Sequence, residues 1–370
     1  MQKFLYITDQ DEYTEHSFIG PLFEKYLNKH FDINVIYFSK AKDDFEKKDD
    51  TKFIIPYRYK DNVLKELESN GINIEEYSYI TIRNDISILK SILNDKLKYN
   101  YKVGFRLSFP KRMAKIQIDE ANNKKNYFDI INNKIQTYKE SSLINDCDIF
   151  LPTSRQMRDD YLKSVKTRSF VIPSAIDPDM MQQNVHHEGA EKRFFYAGTL
   201  DKLREFETVL KAFSQIDTSN FKLMVSTKDP VYAKELFAKY PNLDDSIEIY
   251  DAKTKKELLE VIAKADIGLA ALPSIELFNS STPMKILDYY SSAIPCVMTD
   301  NENNRSIFTD NTSAWMTDFT EDAIKEKLEY IINLSKDEIT LVGENGQKRL
   351  LDVRNYERIA ADLAHQLNIL

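Results

Sequence analysis

One stretch of the sequence, from Asn279 to Thr299, combines a cation, a carboxylate and the features of a helix start. Thr282 is a suitable N-cap, and Pro283 suits the first helical position, where its missing N–H costs nothing. Lys285 would lie in the first turn and Asp288 one turn later, so both side chains can share a helix face. A helix N-terminus with a lysine binds anions, and Asp288 can accept hydrogen bonds from a ribose. These groups suit a nucleoside diphosphate, although an ordinary surface helix with a Lys285–Asp288 pair is the alternative.

A second group of candidate residues follows the predicted strand Phe194–Ala197. Gly198 has no Cβ, so the chain can pass close to a ligand there. Thr199 comes next, and Arg204 follows in the same loop, before a helix predicted from Phe206. The planar guanidinium of arginine can bridge two phosphate oxygens. Arg204 is therefore the second candidate cation, with a solvated side chain at a helix start as the alternative.

The composition restricts the class of protein. A chain of 370 residues exceeds what one hydrophobic core usually supports, which indicates two domains. The net charge of −8 argues against a general nucleic-acid binder. Cys147 and Cys296 both lie in apolar segments, which suggests a reducing cytoplasm without a disulfide framework. The start, from Met1 to Asp9, is typical of a strand rather than a signal peptide, and no apolar run reaches a transmembrane length.

Several functions are disfavoured because their motifs are missing from the sequence. Neither a G-x-G-x-x-G motif nor a Walker A loop is present, which argues against a dinucleotide-dependent dehydrogenase and a P-loop kinase. His186 and His187 lie in a polar segment and have no partner at metal-ligand spacing, so we expect no metal site.

Short apolar segments alternate with amphipathic ones, which indicates an α/β protein with two parallel sheets, each covered by helices on both faces. Predicted strands are Phe4–Ile7, Ile33–Phe38, Tyr79–Arg83, Lys102–Leu107, Ile149–Pro152, Ser169–Ile172, Phe194–Ala197, Lys222–Ser226, Ile247–Tyr250, Ile267–Ala271 and Ala314–Thr317. Predicted helices include Phe18–His30, Asn62–Asn70, Ile86–Leu97, a long helix ending near Leu143, Ser154–Lys163 and Phe206–Gln215. The polar residues 178–192 are predicted to be a linker.

Five segments together resemble the retaining GT-B glycosyltransferases of family 4, also called glycosyl transferases group 1. They keep the order of that family's motifs and extend over most of the chain: Glu140–Ser154, Val171–Asp177, Phe195–Leu200, Ala265–Leu269 and Thr282–Val297. The resemblance implies two Rossmann-like domains facing a cleft, at residues 1–177 and 193–354, with a C-terminal helix (355–370) crossing back to the first domain. The apolar stripe expected on that helix is Tyr356, Ile359, Ala360, Leu363 and Leu367.

The function implied by the resemblance is transfer of a sugar from a UDP- or GDP-linked donor, with retention and without a metal or other cofactor. The acceptor would be a saccharide, a lipid-linked or a protein-linked group, and nucleic acid is not an expected partner. The composition, rich in Lys, Asn and Ile, suggests a bacterial protein. We expect a cytoplasmic location, with contact at the inner face of the membrane left open.

The resemblance also assigns residues to roles. The residues expected to act on the leaving phosphate or the sugar are Arg204, Lys285 and His16. The residues expected to bind the donor are Gly198, Thr199, Tyr250, Glu276, Ser281, Thr282, Met284 and Asp288. A basic cluster expected to bind the acceptor contains Arg83, Arg106 and Lys111. A solvated charge cluster is the alternative for this last set.

The sequence departs from the family pattern at several positions. Thr199 stands where the family has an arginine, Ser280 where many members have a glutamate, and Asp288 where a glutamate is usual. These departures leave two alternatives open. One is a glycosyltransferase-like binding partner without activity, and the other is a GT-B nucleotide-sugar epimerase.

Overall fold

The structure is a computed structural model that describes residues 1–10, 18–122, 127–183 and 189–370. His16 lies outside the described residues, so its predicted role stays a prediction. The chain divides into two compact units. Unit 1 contains Met1–Ile116, Lys124–Pro173 and Tyr356–Leu370, and unit 2 contains Gln117–Asn123 and Ser174–Asn355.

Unit 1 is built on a seven-stranded sheet whose strands are all parallel except for one short edge strand. In chain order the strands are β1 (Lys3–Ile7), β2 (Asp32–Ser39), β3 (Glu46–Lys47), β4 (Lys52–Pro56), β5 (Tyr77–Arg83), β6 (Lys102–Leu107) and β7 (Ile149–Pro152). Their order in the sheet is β3-β4-β2-β1-β5-β6-β7. The α-helices from this half of the chain are α1 (Val63–Ser69), α2 (Ile86–Asp95), α3 (Lys111–Ala121) and α4 (Tyr127–Asn145).

The structure corrects several predicted elements in this half. The segment predicted as an α-helix from Phe18 is a π-helix, Ile19–Tyr26, followed by a 3₁₀ turn; it includes Pro21, which has no N–H to donate to the helix. In place of the helix predicted for Ser154–Lys163, the structure has a shorter π-helix, Met157–Tyr161. The last predicted strand contributes a single bridge between Phe150 and Ser169.

Unit 2 contains a six-stranded parallel sheet. In chain order the strands are β8 (Lys192–Ala197), β9 (Phe221–Ser226), β10 (Ile247–Tyr250), β11 (Ile267–Ala270), β12 (Cys296–Thr299) and β13 (Trp315–Thr317). Their order in the sheet is β10-β9-β8-β11-β12-β13. The helices are α5 (Phe206–Ser214), α6 (Pro230–Phe237), α7 (Lys255–Ile262), α8 (Glu276–Asn279), α9 (Met284–Ser291), α10 (Glu302–Arg305), α11 (Glu321–Ile332) and α12 (Lys336–Val353).

The order of the strands reverses between β8 and β11, which is where open α/β sheets bind ligands. These two strands pair only as far as Gly268, and the buried Tyr289 of α9 continues the connection beyond it. Its hydroxyl accepts the N–H of Ala197 at 3.1 Å and donates to the carbonyl of Leu269 at 3.3 Å. A Cβ on Gly268 would overlap the Tyr289 ring. Gly268 and Tyr289 together fix α9 against the carboxyl ends of these strands.

Helix α12 packs closely against α9 because two of its residues are glycines. A Cβ on Gly343 would overlap the carbonyl of Ala293, and a Cβ on Gly346 would overlap the Tyr290 ring. Tyr290 is fully buried and donates from its hydroxyl to the carbonyl of Ser313 at 2.6 Å. The position of α9 is therefore fixed on this side as well.

The C-terminal helix α13 (Tyr356–Asn368) returns to unit 1, as the sequence predicted. The residues of its predicted apolar stripe are all buried: Tyr356, Ile359, Ala360, Leu363 and Leu367. Tyr79 of β5 donates from its hydroxyl to the carbonyl of Leu367 at 3.0 Å, and the rings of Phe18 and Tyr356 meet edge to face at 6.1 Å. The helix is thus part of the core of unit 1.

Candidate functional site

The loop from β8 to α5 passes close to the start of α9. Gly198 begins this loop with a φ of 145°, a conformation that favours glycine. A Cβ at this position would lie 3.3 Å from the Nζ atom of Lys285. The structure therefore brings Gly198 and Lys285 together, in unit 2, although they are far apart in the sequence.

The ammonium group of Lys285 is buried and has no hydrogen-bond partner among the described residues. It lies over the ring of Tyr196, 3.6 Å from the ring centre, an arrangement that attracts a cation. Burial, and secondarily the positive charge of Arg204, lowers the pKa of Lys285 from an ordinary value of 10.5 to about 7. The alternative of an ordinary surface helix is therefore wrong for the ammonium group, which lies against the Tyr196 ring and Gly198.

Arg204 lies in the same loop but is already bound to a carboxylate that the sequence analysis missed. Its guanidinium forms an ion pair with Asp201. The Asp201 carboxylate also accepts the backbone N–H of Arg204 at 3.0 Å and the hydroxyl of Thr199 at 3.3 Å. The guanidinium lies 5.7 Å from the centre of the Phe278 ring. The loop thus supplies an internal anion to one of the two candidate cations.

The start of α9 differs from the prediction by one residue. Pro283 occupies the N-cap position with extended backbone angles, φ −58° and ψ 138°, and Met284 is the first helical residue. Thr282 is therefore not the N-cap. Its hydroxyl accepts a hydrogen bond from the Asn303 amide at 3.1 Å instead, and its side chain is buried.

Asp288 forms an ion pair, but with Lys255 at the start of α7 and not with Lys285. Burial raises the pKa of Asp288, and the positive charge of Lys255 opposes that shift. A capping box fixes the α7 start, because Thr254 accepts the N–H of Glu257 and the Glu257 carboxylate accepts the N–H of Thr254. The Lys255–Asp288 pair therefore joins the first turn of α7 to the middle of α9.

Four further candidates for donor binding also lie in unit 2. Tyr250 ends β10 and donates from its hydroxyl to the Glu248 carboxylate at 2.6 Å. Burial first, then the bond to Glu248, raises the pKa of Tyr250 to about 12. Glu276 is exposed in the first turn of α8, Ser281 is half-buried, and Met284 is exposed at the start of α9.

In unit 1 the predicted basic cluster is organised around Asp9, which follows β1 and was not predicted as a site residue. Asp9 accepts a hydrogen bond from Arg83 at 2.8 Å and forms an ion pair with Lys111 at 2.6 Å. Arg83 also donates to the hydroxyl of Ser108 at 2.8 Å, and Asn84 donates to the Asp9 carboxylate. Arg83 and Lys111 therefore lie together at the carboxyl ends of β1, β5 and β6, with a shared counter-ion.

Arg106 is not part of this cluster, which corrects the predicted grouping. Its side chain is only 1% exposed and donates to the carbonyl of Leu151 at 2.9 Å. The guanidinium lies 4.8 Å from the centre of the Phe18 ring, and burial lowers the pKa of Arg106 to about 10. The reason is the alternation of β6: Phe105 and Leu107 face one covered side of the sheet, so Arg106 faces the other.

The part of the chain that the structure describes contains no group of three or more His, Cys, Asp or Glu side chains that could hold a metal ion. None of its helices has the length and the apolar character needed to cross a membrane.

The sequence of unit 2 is similar to a known protein family. Residues 179–349 match the family model described as Glycosyl transferases group 1. This match confirms the resemblance to glycosyl transferases group 1 for the three motifs that lie within it, Phe195–Leu200, Ala265–Leu269 and Thr282–Val297. No curated protein sequence matches the chain.

Several solved structures share the fold of the whole chain at low sequence identity. Sucrose-phosphate synthase from Thermosynechococcus elongatus superposes with a TM-score of 0.73 at 13% identity, covering 99% of this chain and 98% of that one. Anabaena HepE, solved with UDP and glucose, gives 0.68 at 12% identity with 100% of both chains covered. A UDP-forming trehalose-phosphate synthase from Burkholderia xenovorans gives 0.69 at 9% identity, covering 98% and 99%. These similarities confirm the predicted GT-B fold.

Proposed function

We propose that this chain, whose residues 179–349 match the glycosyl transferases group 1 model, transfers a sugar from a nucleoside diphosphate sugar to an acceptor. The donor site would lie in unit 2, where Gly198, Lys285 and Arg204 surround the carboxyl end of β8. Uridine is the base we would test first, because HepE was solved with UDP and the trehalose-phosphate synthase is UDP-forming. Guanosine is the second choice.

The observation that carries this proposal is the buried ammonium of Lys285, which has no hydrogen-bond partner among the described residues. Leaving a buried polar group unsatisfied costs roughly 1–3 kcal/mol, and more when the group is charged. A buried, unpaired ammonium group is expected where a ligand supplies its partner. Residues with shifted pKa values are accordingly concentrated at functional sites. A diphosphate placed beside Gly198 would supply the missing hydrogen-bond acceptors and the missing negative charge.

The proposed chemistry is stabilisation of charge on the leaving diphosphate. Lys285 would donate to it, Arg204 would bridge its oxygens after release from Asp201, and the first N–H groups of α9 would point towards it. We propose that the two side-chain cations make a divalent metal unnecessary. We also propose that the acceptor attacks with retention, since the family that the motifs resemble is retaining.

The proposed acceptor site lies in unit 1, at the network of Asp9, Arg83 and Lys111. The two cations and one carboxylate leave this network with one net positive charge. The ammonium of Lys111 belongs to a side chain that is 62% exposed, so it is accessible to a ligand. Hydroxyl-rich saccharides, including lipid-linked and protein-linked ones, fit these hydrogen-bonding groups.

The experiment that tests the proposed function is titration of the protein with UDP, GDP and their sugars, followed by an assay for release of the nucleotide. We expect Lys285→Met to weaken binding of the preferred nucleotide by about tenfold or more, because a charge-assisted contact is lost. Lys348→Ala, on the exposed side of α12, is the matched control and should bind normally. Equal affinity in the wild type and Lys285→Met would remove the assignment of the donor site.

The same assays separate the alternatives. Binding without turnover in any mixture of acceptors would favour an inactive binding partner, a reading that the Arg204–Asp201 pair keeps open. Interconversion of the sugar without an acceptor would favour an epimerase.

A further inference from the structure

Unit 1 contains a cavity of about 300 Å³ beside the network of Asp9. Its walls come from the starts of α2 and α3, from one side of α4 and from the end of the π-helix Met157–Tyr161. Asn84 and Lys111 belong both to the network and to the wall of the cavity. The volume is at the lower end of the range for small-molecule sites, about 300–1,000 Å³, so it suits a ligand the size of one sugar ring.

One side chain fixes the rim of the cavity. Asn84 directly follows β5 and has a φ of 58°, a left-handed conformation that asparagine adopts more readily than most residues. Its side-chain oxygen accepts the backbone N–H groups of Ser108 at 2.8 Å and of Phe109 at 3.2 Å. The Phe109 side chain lines the cavity and is 46% exposed. The backbone that carries this ring is therefore fixed, while the ring itself is accessible to a ligand.

Two carboxylates that line the cavity each have an oxygen left for a ligand. One oxygen of Asp85 accepts the N–H groups of Ser87 at 2.9 Å and Ile88 at 3.1 Å, at the start of α2. One oxygen of Glu140 accepts from the guanidinium of Arg112 at 3.1 Å. In the part of the chain that the structure describes, no hydrogen bond reaches the second oxygen of either carboxylate. Such an oxygen can accept a hydrogen bond from a hydroxyl group.

The charges that line the cavity balance. The carboxylates of Asp85 and Glu140 are matched by the cations of Lys111 and Arg112. Arg112 is paired with Glu140, and Lys111 is paired with Asp9. An anionic ligand would lie beside two carboxylates, whereas an uncharged hydroxyl group can donate to the carboxylate oxygens that are left over. The cavity therefore favours an uncharged ligand.

The inner wall of the cavity is apolar. It is formed by four buried side chains, those of Phe105, Leu107, Ile144 and Leu162. A sugar ring has C–H groups on its two faces and hydroxyl groups around its edge. An apolar and aromatic lining with a few hydrogen-bonding groups is typical of small-molecule sites, and here it matches both parts of a sugar.

We propose that this cavity binds one uncharged sugar ring of the acceptor, next to the part of the acceptor that the Asp9 network holds. Phe109 covers one face of the ring, and Asp85 and Glu140 accept hydrogen bonds from its hydroxyl groups. The acceptor is thus an uncharged saccharide of at least two units. This inference rests on the proposed function, because it places the acceptor at the Asp9 network.

The test is a titration of the full chain with sugars, followed by ligand-observed NMR, in the absence and in the presence of UDP. The panel contains glucose, galactose, N-acetylglucosamine and their disaccharides, with glucose 6-phosphate and glucuronic acid as anionic counterparts. We expect at least one disaccharide to bind about tenfold more tightly than its component monosaccharides, because a second ring adds hydrogen bonds to carboxylates. Tighter binding of the anionic sugars would overturn the inference.

Two variants locate the bound ring. Asp85→Asn keeps an oxygen that can cap α2 but replaces the spare carboxylate oxygen by an NH₂ group. It should weaken disaccharide binding about fivefold to tenfold and leave thermal stability unchanged. Phe109→Ala should weaken binding about fivefold, because the aromatic contact is lost. Asp129→Asn and Phe128→Ala, at exposed positions of α4 outside the cavity, are the matched controls and should bind normally.

Disaccharide affinity that is unchanged in both Asp85→Asn and Phe109→Ala would overturn the inference. So would a wild type that binds no uncharged saccharide, with or without UDP. Failure of the proposed function gives a different result, because the donor is measured separately in unit 2. If the wild type binds a disaccharide but neither UDP nor GDP, the cavity stands as a saccharide site and the proposed transfer reaction fails.

Discussion

In unit 1, Arg83 and Lys111 both contact the carboxylate of Asp9, whereas in unit 2 the ammonium of Lys285 has no hydrogen-bond partner among the described residues. Both groups of cations lie at the carboxyl ends of parallel strands. The first is a completed network that holds three strand ends together. The second carries an energetic cost that a bound anion would relieve. The difference is that the unit 1 cations already have a carboxylate partner within the fold, whereas Lys285 has none among the described residues.

Arg204 lies between these two cases. It has a partner, but that partner is Asp201, a side chain in the same exposed loop. Such a short-range ion pair near solvent contributes little to stability, typically 0–1 kcal/mol. A ligand can therefore replace it, which is not true of the nearly buried Arg83–Asp9 pair.

The largest effect should come from breaking the completed network in unit 1. Asp9→Ala leaves Arg83, which is 11% exposed, without its counter-ion, and we expect a loss of about 3 kcal/mol in the free energy of unfolding. The measurement is urea denaturation. Asp43→Ala removes an ion pair from a side chain that is 92% exposed, and should change stability by less than about 0.5 kcal/mol. Similar losses in both variants would contradict the distinction between the two cation groups.

A pH-dependent effect on stability, smaller within any single pH unit, is expected at Lys285. Its pKa is about 7 in the folded protein and near 10.5 in the unfolded chain, so between these values the unfolded chain holds one more proton. Stability should therefore rise by about 1.4 kcal/mol per pH unit from pH 7 upwards, and the burial cost is fully present below pH 7. Lys285→Met should lack this rise.

The measurement is urea denaturation of the wild type and Lys285→Met at several pH values between 6 and 9.5. The difference between the two curves isolates Lys285 from other titrating groups. Parallel curves would mean that the ammonium group is hydrated or paired in solution, and the contrast with unit 1 would disappear.

The smallest effect is expected at Asp201, where removing a carboxylate should raise the affinity for a ligand. If the Asp201 carboxylate occupies the anion's place beside Arg204, then Asp201→Asn should free the guanidinium and tighten diphosphate binding about threefold to tenfold. Calorimetric titration with UDP and with inorganic diphosphate measures this gain. Asp229→Asn, at the N-cap of α6, is the control and should leave affinity unchanged. Weaker binding in Asp201→Asn would mean that Asp201 positions Arg204 for the ligand.

The sequence was sufficient to predict the GT-B fold, because the alternation of strands and helices and the five motifs are local signals. The return of α13 to unit 1 was also predictable, since a stripe such as Tyr356 and Leu363 requires a partner surface. The ion pairs within the candidate donor site could not be predicted from such local signals. Lys285 and Asp288 have the spacing of a helix pair, but a tertiary contact with Lys255 takes the carboxylate.

Arg106 illustrates the same limit in unit 1. Arg106 and Lys111 lie close together in sequence, which suggests an exposed cluster, because charged side chains are rarely buried. The signal that could have corrected this prediction is the position of β6 inside a parallel sheet, whose strands are buried on both faces. In such a strand Arg106 has no solvent-facing side to occupy.

The return of α13 has a consequence for the order in which the protein folds during synthesis. Unit 2 needs no residue beyond Asn355, whereas unit 1 lacks the carbonyl that receives the Tyr79 hydroxyl until Leu367 has left the ribosome. The unit that is synthesised first is therefore completed second. Until then the groove that α13 fills, including Phe18, stays open, and a chaperone that covers apolar surface would be needed most for the earlier half of the chain.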